Sequence, residues 1–252
     1  MNFVIASMKG GVGKTSLAVF LAQQFRLDGK PLLLIDADPN NNLTDFFLRG
    51  ADPEEIAKSE LRHVLLRKRN LMECVYETTF QTNIVPCTVD LHRVGHELNG
   101  DPASFLTLSK ELRRHVPDSD ALIDTPPSLS FEFRTSLFAA DVVIVPVSFS
   151  IWTMRALRIL ADELSKVEEV RGRSPKLVAV PCMVTEKEVE KLAELHPEEL
   201  VPGLTMTKSF IGRSGTIRNM TNSGKWFHPQ SEGNKSFDQF RAVYKEIKRI
   251  VK

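Results

Sequence analysis

The sequence predicts a doubly wound α/β protein, a mostly parallel sheet with helices on both faces. Three observations carry this expectation. Short apolar runs rich in Val, Ile and Leu, without alternation, recur along the chain and read as strands covered on both faces. Patterns with the helical period lie between them. A glycine-rich loop joins the first of these strands to the first helix.

In chain order, residues 3–6 (Phe-Val-Ile-Ala) form the first expected strand. A helix over 14–28 follows, with Leu17, Leu21 and Phe25 on one face and Gly29 as its stop. Further strands are expected over 32–35, 121–123, 142–147 and 177–180, and helices over 153–170 and 236–251. The stretch 49–81 is the hardest to assign and is expected to be helical; its basic run Arg67-Lys68-Arg69 reads as a solvated helix face. There is no repeat, low-complexity stretch or linker, so one domain over 1–252 is expected.

Composition narrows the class. Of 252 residues, 42% are hydrophobic and 26% charged, which excludes a disordered, collagen-like or coiled-coil chain. Three scattered cysteines (Cys74, Cys87, Cys182) give neither a disulfide framework nor a zinc site. No apolar run approaches the ~18 residues of a membrane span, and the apolar start is too short for a signal-peptide core. A cytoplasmic chain without a membrane partner is expected. The net charge of +1 hides a segregation: residues 201–252 hold ten basic and three acidic side chains (+7), leaving −6 for residues 1–200.

The strongest signal is Lys9-Gly10-Gly11-Val12-Gly13-Lys14-Thr15, with Ser16 next, between the first strand and the first helix. Consecutive glycines let backbone N–H groups wrap a polyphosphate, and the helix N-terminus adds partial positive charge. Lys14 would reach the β- and γ-phosphates and the Thr15 hydroxyl would bind Mg²⁺. An ordinary glycine turn explains the glycines but not Gly-Lys-Thr in this context. A regular loop of this kind has Gly where Met8 stands, and here Lys9 is added. A second element ends a strand in two carboxylates, Asp36 and Asp38, before Pro39-Asn40-Asn41-Asn42. A turn alone accounts for the Pro and Asn residues but not for the paired acids. The third is Asp124 in Leu122-Ile123-Asp124-Thr125-Pro126-Pro127-Ser128, an acid ending a buried strand, as a Walker-B position holding Mg²⁺ through water requires.

These motifs resemble the deviant Walker-A ATPases: the ParA partition proteins, MinD, the arsenite-pump ATPase and nitrogenase iron protein. The resemblance implies ATP as nucleotide and a sandwich homodimer in which Lys9 reaches the phosphates held by the other subunit. It makes 36–44 a first switch, with Asp38 orienting the attacking water and Asp36 supporting the Mg²⁺ hydration shell. The segment from Asp124 becomes the second switch. Asn40 and Asn41 replace the family's Gln and Gly; Asn tolerates a left-handed backbone better than other non-glycine residues, so the turn is expected to survive. The likeness continues through Asn83-Ile84-Val85-Pro86, Leu91 and Glu97, then through 139–147 and 213–225, while 181–185 shows no clear base-binding motif.

The basic C-terminal region suits the ParA habit of binding nonspecific DNA in the ATP-bound dimer, with candidates Arg213, Arg218, Lys225, Lys245, Lys248 and Arg249. Solubilising a helix whose other face is core is the plainer explanation for these side chains. The resemblance further implies a ParB-like centromere-binding partner that stimulates slow hydrolysis, and nucleoid association. Because the glycine loop begins at Lys9, a short form without the extra DNA-binding domain of some plasmid members is expected. A MinD-like membrane-associated positioning ATPase and a metabolic ATP-dependent ligase are the rival readings. Iron–sulfur relatives are disfavoured because the cysteine spacing does not fit.

Overall fold

The computed structural model describes residues 1–98, 101–231 and 233–252. Along the chain run β1 (Asn2–Ile5), α1 (Lys14–Leu27), β2 (Leu32–Asp36), α2 (Asn42–Phe47), α3 (Pro53–Ala57), α4 (Leu61–Leu65), β3 (Tyr76–Glu77) and β4 (Asn83–Val85). Then come α5 (Val94–Glu97), α6 (Thr107–His115), β5 (Asp120–Asp124), α7 (Phe131–Ala139), β6 (Val142–Val147), α8 (Ile151–Arg171) and β7 (Lys176–Val184). The chain closes with α9 (Glu186–Ala193), α10 (Pro197–Leu200), β8 (Leu204–Met206), β9 (Ile211–Gly212), α11 (Gly215–Ser223) and α12 (Lys235–Val251).

The strands lie in the order β3-β4-β2-β5-β1-β6-β7-β8, with β9 on the end of β7. Every pairing is parallel except β3 with β4. Parallel strands need helical crossovers, so the two faces are covered and each strand sends alternate side chains into different cores. Phe3 and Ile5 pack with α1, α2, α11 and α12; Val4 and Ala6 pack with α4, α6, α7 and α8. The expected doubly wound class is the observed one.

Five strands and three helices fall where the sequence placed them, β7 running longer than expected. The stretch 49–81 is different: it is not a continuous helix. Pro53 starts α3 under an Asp52 cap, Arg67 ends α4 in the left-handed region (φ 58°), and an Asn70–Glu73 capping box opens a single 3₁₀ turn before β3. Each cap restarts the chain, so three short pieces replace one rod. No helix among the described residues is long and apolar enough to cross a membrane.

Candidate functional site

β1, β2 and β5 are adjacent, and their carboxyl ends bring together what the sequence separates. Ile5 and Asp36 both stand opposite Asp124 in the parallel register. From Ile5 the chain enters the glycine loop, where Gly11 (φ 71°) and Gly13 (φ 88°) adopt backbone that side-chain-bearing residues rarely hold. The Gly13 carbonyl accepts the first helical bond, from Leu17 N at 2.8 Å, so α1 starts directly on the loop with its free N–H groups turned toward it. Gly10 and Gly11 are exposed, with no neighbouring atom where a Cβ would stand.

Lys14, the first residue of α1, is only 7% exposed. Burial lowers its pKa, opposed by the charges of Asp124 and Asp38. The Thr15 hydroxyl donates to Asp124 Oδ2 at 2.7 Å, while Asp124 Oδ1 is buried without any hydrogen-bond partner. Desolvation, followed by the nearby Asp36 charge, pushes the Asp124 carboxyl up to about 8. Asp36 is pushed up to about 7, mainly by burial. Its Oδ2 accepts from Thr44 N (2.7 Å) and Thr44 Oγ1 (2.8 Å), and its Oδ1 from Asp38 N (3.2 Å). Asp36 thus fastens the following turn. Asp38, also buried, accepts from the backbone and side-chain nitrogens of Asn40 at 3.0 Å each. Asn41 takes the left-handed conformation (φ 47°) that caps α2, so the substituted turn is kept.

The oxygens here suit a hard divalent cation. An orphaned buried carboxylate oxygen beside an oriented threonine hydroxyl is a site short of positive charge, and Thr15 and Asp124 are the residues that would hold Mg²⁺.

Lys9 is half-buried and folds over its own chain, its Nζ donating to Ser148 Oγ at 3.2 Å. Around this edge Leu129, Phe149 and Trp152 are exposed (38, 40 and 60%). Beside the glycine loop opens a cavity of about 460 Å³, walled by Ser16, Met183, Ile211, Ser214, Ile217 and Asn222. This pocket was invisible in the sequence. Met183 lies at an irregularity in β7 with φ 57°, and its side chain comes within 4 Å of where a Cβ on Gly13 would sit. Its place in 181–185, just past the apolar run 177–180, is the only sequence signal that pointed there.

The six basic candidates fall into separate groups. Arg213 and Arg218 wall the cavity, and Arg213 donates to Met183 O and pairs with Glu188, both at 2.9 Å. Lys225 is exposed just beyond α11. Lys245, Lys248 and Arg249 lie at the far end of α12, ~25 Å long, where Lys248 approaches Asp120 at 3.5 Å and Arg249 approaches Glu246 at 3.8 Å.

A parallel sheet whose central strand runs through a glycine loop into a helix, with a buried acid ending the next strand, defines a P-loop nucleotide-binding protein. The lysine opening its loop marks the deviant Walker-A type. A family model described as an AAA domain matches residues 2–177. The chromosome-partitioning ATPase Soj of Thermus thermophilus is 35% identical over 185 residues, covering 73% of this chain and 68% of Soj. The chain belongs to the ParA-like partition ATPase family. In fold it is similar to apo McdA of Cyanothece (TM-score 0.83, 21% identity, 100% of this chain and 99% of that one). It is also similar to cobyrinic acid a,c-diamide synthase of Mycobacterium smegmatis with ADP and magnesium (TM-score 0.79, 21% identity, 98% and 94% covered).

Proposed function

We propose that this chain is a DNA-partition ATPase of a plasmid or chromosome segregation system, one domain throughout. Its ATP-bound form is a homodimer that binds DNA without sequence preference, and a ParB-like centromere-bound partner stimulates slow hydrolysis and releases it. The observation that carries the ATPase reading is the convergence of Lys14, Thr15 and the orphaned Asp124 oxygen at the mouth of the glycine loop. Residues 10–16 cradle the phosphates, Lys14 offsets their charge, and Asp38, held by Asn40, orients the attacking water. Mg²⁺, when bound, supplies neutralisation of the phosphate oxygens. Lys9, released from its weak contact with Ser148, reaches the nucleotide of the other subunit. The exposed Leu129, Phe149 and Trp152 support this, being apolar surface on the same edge that a second copy would cover.

For DNA over a membrane, the favouring feature is α12. Its apolar stripe (Phe237, Phe240, Val243, Tyr244, Ile247, Val251) is spent on the core, leaving its charged face outward. The test is a gel shift of nonspecific duplex with ADP, ATP or a nonhydrolysable analogue, at low and high salt, beside sedimentation with anionic liposomes. A shift that needs triphosphate and disappears in salt is expected. Pelleting with liposomes instead would favour a MinD-like positioning ATPase; neither would favour a metabolic member.

A further inference from the structure

On the outer side of the α4 and α6 layer, away from the glycine loop, lies a second cleft of about 510 Å³. Arg67, Lys68, Arg69, Lys110 and Arg114 line it, all of them exposed. Two carboxylates share the cleft, and both are engaged. Glu73 accepts from Asn70 N at 2.8 Å, and Glu111 from Leu71 N at 3.0 Å while pairing with Arg114 at 3.2 Å. Arg67 reaches Asp101 at 3.4 Å, with both side chains about half exposed. Lys68, Arg69 and Lys110 have no carboxylate within pairing distance among the described residues. Three cations thus line one concave surface without an ion-pair partner, and with Arg67 and Arg114 they outnumber its two carboxylates five to two.

The local fold keeps them there. Arg67 is the left-handed residue closing α4, with its N–H on Val64 O (2.9 Å) and the Lys68 N–H on His63 O (2.8 Å). Glycine is the usual occupant of such a position, and a residue with a Cβ there costs about 1 kcal/mol. The turn sends three consecutive basic side chains over the cleft instead of along a helix, so the solvated-helix reading of this run does not describe it.

The shape and charge select the occupant. A duplex is a convex cylinder, whereas this surface is concave, floored by Val64 and the buried Thr107, with two carboxylates on its wall. A polyphosphate would meet those carboxylates. A peptide can turn its own carboxylates to Lys68, Arg69 and Lys110 and its amide donors to Glu73 and Glu111. We infer that this cleft docks an acidic peptide segment of a partner protein, independently of the nucleotide site.

The probe is a fluorescein-labelled 12-residue peptide of alternating Glu and Ser, titrated with the full chain at ~0.05 and ~0.15 M salt and read by anisotropy. The competitors are a duplex of equal charge and inorganic polyphosphate. Saturable binding is expected. It should weaken at least about tenfold in a Lys68→Glu/Arg69→Glu/Lys110→Glu variant, and less in the Gln version. Binding of a fluorescent ATP analogue should be unchanged in both, which also certifies the fold. No peptide binding, or equal binding by wild type and variant, overturns the inference. So does the finding that duplex or polyphosphate binding, and not peptide binding, depends on these three residues.

Discussion

Asp124 is a carboxylate whose surroundings favour its protonated form, because burial and the neighbouring Asp36 charge outweigh the Thr15 bond and Lys14. Since Asp124 and Asp36 titrate near 8 and 7 when folded, against 3.8 for the ordinary group, the folded state holds more protons between those values. Stability of the nucleotide-free protein is therefore greatest below pH ~4 as far as these two groups are concerned, and falls as pH rises through 7 to 8. Thermal unfolding in chelator should show the melting temperature declining from pH 5 to 8.5, and Asp124→Asn should flatten that decline; an unchanged slope would contradict the assignment. Lys14 is the counterpart cation. Lys14→Ala removes charge-assisted phosphate contacts and should weaken binding of a fluorescent ATP analogue by about 100-fold or more. Near-wild-type affinity by titration would take Lys14 out of the site.

At the scale of elements, the sensitive junction is the turn between β2 and α2. Asn41 holds φ 47° as the cap of α2 and its side chain reaches Asp45 at 3.3 Å. Asn41→Gly should leave urea stability within about 0.5 kcal/mol, whereas Asn41→Val, β-branched in a left-handed site, should cost about 1–2 kcal/mol. Equal effects of the two would mean that the backbone conformation there is not what the residue serves. Past this turn α2 carries Phe46 and Phe47 into a ring cluster with Phe80 and Trp226, with centroids 4.6 to 5.8 Å apart. Arg49 just beyond α2 donates to Asn222 O at 2.6 Å. The segment after Asp36 is thereby packed against α11, whose Ile217 and Asn222 wall the cavity beside the glycine loop. Arg49 is the contact that joins the end of α2 to that wall.

At the scale of the whole molecule, the carboxyl edge exposes three large apolar side chains, Leu129, Phe149 and Trp152, beside the glycine loop. Among the described residues the Lys9 ammonium has a single hydrogen bond, at 3.2 Å to Ser148, and Trp152 is 60% exposed. Both are expected to matter only to the ATP-bound dimer. Lys9→Ala and Trp152→Glu should each leave a monomer by light scattering in ATP, with nucleotide-free melting temperatures close to wild type. A dimer of undiminished strength in either variant would remove that residue from the interface.

The central strands, the long helices, the glycine loop and the three acids were legible from the sequence because each is written locally. Apolar runs encode burial on both faces, helical spacing encodes an apolar stripe, and Gly-x-Gly-Lys-Thr encodes a left-handed loop entering a helix. Asn41 was legible too, since its tolerance of positive φ belongs to the residue itself. The broken path through 49–81 was not, because a pattern of apolar residues says nothing of where a cap restarts the chain. Nor were Met183, Ser214 and Asn222 legible as one wall. They come from a strand bulge, a loop and a helix, and only the pairing of β9 with β7 brings them beside Gly13. The same holds for the pKa values of Asp36 and Asp124, and for Arg67–Arg69 facing Lys110. Burial and the distance between charges are properties of packed strands and helices, so the tertiary structure decided them.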